Sequence, residues 1–191
     1  MDVRDPYVPG SRFIPLVQMI YHGLIGYSAP SATKEEMLWG LLVGAHTFHE
    51  EDVAGPHSVS RYYIQNLPAM LLDGRPMTDF RREGARARAE FGTDSWVEAD
   101  FERQRYAVVV DGACVGRDFT TFARGPKGYL AYSFDGRLEG YPRPVEFAGA
   151  RRARLVPLTA RGDGDAWRVP LPEGALALDL PPMTPVRVEP A

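Results

Sequence analysis

The sequence predicts a two-part α+β architecture, with strand-helix units over residues 1–92 followed by an antiparallel β-sandwich over 93–191. Three observations carry this. The stretch Phe13 to His22, FIPLVQMIYH, is apolar without alternation, as in strands buried on both faces of a helix-covered parallel sheet. A capping-box helix follows it, the crossover a parallel pair needs. Beyond about Gly92 the text becomes short alternating runs broken by turn residues, and Leu176, Leu178 and Leu180 alternate with Ala177 and Asp179.

Taken in order, the first ten residues, MDVRDPYVPG, lack the basic and apolar regions of a signal peptide, which leaves a cytoplasmic location, or secretion through an upstream signal, open. A first strand is expected over Ile14 to His22, then a loop from Gly23 to Ala32. Thr33 with Glu36 marks a helix start, and Met37, Leu38, Leu41, Leu42 and Ala45 fall on one helical face as far as Gly44. Ala45 to His49 reads as a second strand, with Glu50, Glu51 and Asp52 at its carboxyl end. Val59, Tyr62, Tyr63, Leu67, Met70 and Leu71 predict another helix, which Pro68 should kink or end near Asn66. Asp73 to Pro76 is a turn. The Arg- and Ala-rich stretch Met77 to Phe91 reads as a solvated helix or connector around Gly84 between the two parts.

The remaining strands are expected at Trp96 to Phe101, Arg105 to Val110, Ala113 to Arg117, Phe119 to Ala123, Tyr129 to Phe134, Ala153 to Leu158, Trp167 to Leu171, Ala175 to Leu180 and Pro185 to Val188. Asp111-Gly112 and Asp135-Gly136 are hairpin signals, and Arg124-Gly125-Pro126-Lys127-Gly128 is a longer turn. No helix is expected in this half.

Composition excludes several function classes. The chain has 191 residues, 45% hydrophobic and 25% charged, an ordinary globular balance. A net charge of −3 argues against a nucleic-acid partner, whose phosphates need a concentrated basic surface. Cys114 is the single cysteine, so neither an intrachain disulfide nor a thiolate cluster can form. The longest apolar stretch, Phe13 to Tyr27, is interrupted by Pro15, Gln18 and His22 and falls short of the roughly 20 residues of a membrane span.

Candidate site residues gather at the expected strand ends, where α/β folds hold their ligands. His22 can hydrogen-bond a ligand hydroxyl, and Tyr21 or Tyr27 can offer an aromatic face for stacking. Glu50 and Asp52 add substrate-contacting carboxylates. Paired-carboxylate acid–base chemistry needs two carboxyl groups facing one bond, and neighbours in an extended segment point apart, so Glu50, Glu51 and Asp52 do not make a working pair. A metal reading of His46, His49, Glu50 and His57 lacks the HExxH spacing, and no metal site or cofactor is assigned. Trp96, Tyr106, Tyr129, Tyr132 and Trp167 suit a sandwich core better than a carbohydrate platform.

The run Ile14, Pro15, Leu16, Gln18, Tyr21 and His22, then Leu41, Leu42, Gly44 and Ala45 before the second strand, resembles the carboxyl-terminal part of (β/α)8-barrel glycoside hydrolases, in the endo-α-N-acetylgalactosaminidase-like group and its relatives. Gly23 stands where that group often has an acidic residue. The resemblance implies that residues 1–92 hold the last strands and helices of a barrel, that the β tail is its accessory sandwich, and that the catalytic carboxylates lie on earlier strands. A carbohydrate ligand and an upstream barrel portion or partner chain are then expected. Two other classes remain open: a self-sufficient β-sandwich module binding glycans or protein, whose amino-terminal helices merely cover one face, and a small metal-dependent hydrolase.

Overall fold

A computed structural model describes residues 28–29, 33–47 and 56–191. The expected strand over Ile14 to His22 lies outside the described residues.

Two short strands open the described chain. β1 (Ser28–Ala29), inside the expected loop, runs parallel to β2 (His46–Thr47), with Ser28 opposite His46 and Ala29 opposite Thr47. Between them lies α1 (Lys34–Leu42), the helical crossover that parallel pairing requires. Its start is the expected capping box: the Glu36 amide donates to Thr33 Oγ1 at 3.2 Å, and the Thr33 amide to Glu36 Oε2 at 2.8 Å. It ends in a Schellman motif, where Gly44 at φ +62° lets the amides of Gly44 and Ala45 reach the carbonyls of Leu41 and Gly40. Met37 through Leu42 are buried on every side of the helix, not along one face.

The next helical stretch passes the proline expected to stop it. α2 (Pro56–Arg61) leads through a π turn (Tyr62–Asn66) into α3 (Leu67–Leu72). Pro68 cannot donate, and its ring would crowd the carbonyl four residues back in a regular α-helix. The widened turn, with the Leu67 amide reaching Tyr62 O, absorbs that misfit, so the helix continues.

The largest correction concerns Met77 to Phe91. This segment is a hairpin, β3 (Met77–Glu83) and β4 (Arg86–Phe91), turning through Gly84 at φ +60°. Ala87, Ala89 and Phe91 alternate buried while Arg86, Arg88 and Glu90 look outward. The period of two was present but written in alanine, whose helix preference tertiary packing overrides. The sheet therefore begins at Met77.

From there the chain meanders through β5 (Trp96–Asp100), β6 (Arg105–Val110), β7 (Ala113–Arg117), β8 (Thr120–Gly125) and β9 (Gly128–Ser133), each antiparallel to the one before. Asp111 and Gly112, at φ +50° and +75°, form the expected β6–β7 hairpin turn. Asp135-Gly136 does not close a hairpin. β10 (Arg137–Tyr141) leaves the sheet and pairs with β14 (Leu176–Asp179) in a second layer. β11 (Arg152–Thr159) returns to the large sheet with β12 (Gly162–Asp163), β13 (Trp167–Pro170) and β15 (Val186–Pro190), the last closing against β9. The expected strands thus omitted β10 and β12.

Antiparallel sheet dominates, with two cores. α1 and the following helices cover β4 to β6, burying Leu38, Leu42 and Ile64 with Ala89, Phe91, Val97 and Val108. The amino-terminal helices thus cover one face of the sheet and share its core. The β10–β14 pair covers the other end, where Leu138, Tyr141, Phe147, Leu176 and Leu178 meet Phe122, Leu155, Val186 and Val188 in a sandwich-like arrangement.

Candidate functional site

Tyr21, His22, Tyr27, Glu50 and Asp52 lie outside the described residues, as do His49 and Glu51. His46 is described, and its Nε2 meets the carboxylate of Asp73 at 3.1 and 3.2 Å, tying β2 to the end of α3. Among the described residues no group of three His, Cys, Asp or Glu side chains could hold a metal ion, which leaves the metal-dependent alternative without support there. None of the helices among them is long and apolar enough to cross a membrane.

The aromatic residues considered as a carbohydrate platform serve structure. Tyr106 and Tyr132 are buried; Tyr132 stacks on Tyr63 at 5.3 Å and shares a 2.5 Å hydrogen bond with Ser60. Tyr129 stacks on Phe122 at 4.8 Å, Trp96 lies under the Arg88 guanidinium at 4.2 Å, and Trp167 packs against the second core.

A cleft that sequence reasoning missed lies where four segments meet. The first turn of α1 supplies Thr33, Lys34 and Met37, the α2 region Ser60, Arg61 and Ile64, the β7–β8 turn Asp118 and Phe119, and the β9–β10 connection Phe134 and Asp135. Its volume is about 280 Å³. Asp118 and Asp135 also wall a polar groove of about 390 Å³, with Arg105, Arg117, Arg137 and Glu139 around it.

The β7–β8 turn is strained and held on several sides. Asp118 and Phe119 stand at φ +46° and +64°, a region costly for side chains other than glycine. The Asp118 carboxylate accepts from Arg105 Nη2 at 2.5 Å and Nε at 3.2 Å, and from the Tyr106 amide at 3.3 Å. The Phe119 ring meets the Tyr106 ring edge-to-face at 5.8 Å and takes Lys34 Nζ over its face at 5.1 Å. The Phe134 amide donates to the Phe119 carbonyl at 3.3 Å, so two walls of the cleft are joined through the backbone.

Asp135 accepts from the Arg137 amide at 3.0 Å and from Ser133 Oγ at 2.8 Å. These bonds hold its carboxyl below the ordinary Asp range, the amide contributing most. A glycosidic general acid needs a shift in the opposite direction, so Asp135 is suited to accept hydrogen bonds, not to give up a proton. The sequence signal for the cleft was two aromatic-aspartate neighbours, Asp118-Phe119 and Phe134-Asp135, each at a strand end. Nothing local shows that the two turns meet.

No protein-family model matches the chain, and a search of curated proteins finds no match either, so a functional reading rests on its own residues.

Proposed function

We propose that this chain is the carboxyl-terminal portion of a glycoside hydrolase-like protein, its first part finishing a (β/α)8 barrel and its antiparallel sheet forming the accessory domain. Tyr21, His22, Tyr27, Glu50 and Asp52 are then sugar-contacting side chains, and the reacting carboxylates come from earlier in the protein. One observation carries the reading: β1 and β2 pair in parallel across α1, and among the described residues neither strand has a second neighbour. Two parallel strands alone leave their edges open, and a closed barrel removes those edges. The antiparallel sheet downstream is the order of parts that the resemblance implies.

The test is His22→Ala in the protein together with the upstream barrel portion or partner chain, assayed for sugar release. KM is expected to rise about tenfold, a loss of ~1.4 kcal/mol of binding, with the fold intact by circular dichroism. Unchanged kinetics would remove His22 from the site. A complete protein that releases no sugar from any glycoside would overturn the hydrolase reading and favour the glycan- or protein-binding module.

A further inference from the structure

Among the described residues the large apolar side chains left in solvent are Tyr62, Met70, Phe134 and Val145, and of these only Phe134 lines the cleft. Phe134 is 48% exposed, and its amide is fixed to the Phe119 carbonyl, so the ring is offered from an anchored backbone. Met37, Ile64 and Phe119 add apolar lining, and Lys34 as a donor and Asp135 as an ionised acceptor line the same cleft. Charge is balanced throughout. Lys34 and Arg61 offset Asp118 and Asp135 in the cleft, and Arg105, Arg117 and Arg137 offset Asp118, Asp135 and Glu139 in the groove beside it.

We propose that this cleft binds one neutral sugar ring, stacked on Phe134 and hydrogen-bonded to Asp135 and Lys34. A pyranose has a C–H face for an aromatic ring and hydroxyls that both donate and accept. Two cations and two carboxylates leave the lining no excess of either sign to select a charged ligand. At about 280 Å³ the space is just under the usual size of small-molecule pockets, which suits a single ring. The choice of a sugar over another neutral ring rests on the function proposed above. Thr33 and Lys34 follow the carboxyl end of β1, the side on which barrel proteins handle their ligands, so the β7–β8 and β9–β10 turns would bring the accessory sheet to that side.

The protein together with the upstream barrel portion or partner chain can be titrated by NMR with galactose, glucose, N-acetylgalactosamine and N-acetylglucosamine, with uracil as a neutral planar control that carries no sugar. At least one sugar is expected to bind with Kd on the order of 1 mM. Phe134→Ala and Asp135→Asn are each expected to weaken it about tenfold at an unchanged melting temperature, and Phe134→Trp to retain it. Absence of binding by all four sugars, affinity unchanged from the parent protein in both variants, or preference for uracil would each overturn the proposal. Sugar binding lost in His22→Ala but kept in Phe134→Ala would remove the cleft while leaving the hydrolase reading in place. Ring binding at the cleft in a complete protein that cleaves no glycoside would do the reverse.

Discussion

Gly40, in the middle of α1, faces Gln65 of the π turn. Gln65 is fully buried, its Nε2 donates to the Ala45 carbonyl at 3.3 Å, and its Oε1 has no hydrogen-bond partner among the described residues. A Cβ at Gly40 would stand 2.0 Å from that Nε2, so the amide would have to swing away and lose its bond. Alanine in a helix interior gains about 1 kcal/mol over glycine, while leaving a buried amide unpaired costs roughly 1–3 kcal/mol. The second effect wins, and Gly40→Ala is expected to lower stability by about 1 kcal/mol in urea denaturation. In a Gln65→Ala background the same substitution should stabilise, and a double-mutant cycle without that change of sign would refute the packing argument. Local sequence could not reveal this pair, because only the meeting of two helices buries Gln65.

At the scale of the element, the signals that worked were complete within a few residues. The Thr33–Glu36 box and Gly44 bracket α1 because both caps act on backbone groups one turn away. Thr33→Ala is expected to cost about 1 kcal/mol by denaturant titration, and Thr33→Ser most of nothing, since serine restores the accepting oxygen. A neutral alanine variant would mean that packing of the buried helix, not its cap, sets its stability. Where neighbours decide, the same reasoning fell short. Pro68 ends an isolated helix, yet here the π turn and the packing of α2 and α3 on the sheet carry the chain past it. The alanines of β4 have little preference to resist burial against α1.

For the whole molecule, ion pairs pin the far sheet and set its acid limit. Arg187 bonds Asp163 at 2.8 and 3.1 Å and Glu189 at 2.6 Å, and Arg154 reaches Glu189 at 2.7 Å, linking β11, β12 and β15. The Arg187 guanidinium holds the Asp163 carboxyl below its ordinary 3.8 and the Glu189 carboxyl below its ordinary 4.5. Folded carboxyls held low bind protons less readily than unfolded ones, so their contribution is present above these ordinary values and lost as pH falls through them to the depressed ones. The melting temperature is expected to drop below about pH 4.5, and less steeply in Arg187→Ala, by calorimetry in low salt. Equal slopes in the two proteins would assign the acid limit elsewhere. Exposure of Asp163 keeps its share small.

Sequence by itself determined what closes within a turn or a single run: the caps of α1, the Asp111-Gly112 hairpin, the Leu176 and Leu178 alternation, and a β-rich second half. Tertiary structure alone decided what depends on distant neighbours. It turned Met77 to Phe91 into the sheet's first hairpin, sent β10 into a second layer beside β14, set β15 against β9, and gathered Lys34, Phe119, Phe134 and Asp135 around one cleft. The reason is range. Caps and tight turns are governed by backbone bonds between near neighbours, whereas strand partners and clefts follow from apolar burial between segments tens of residues apart, which no local pattern encodes.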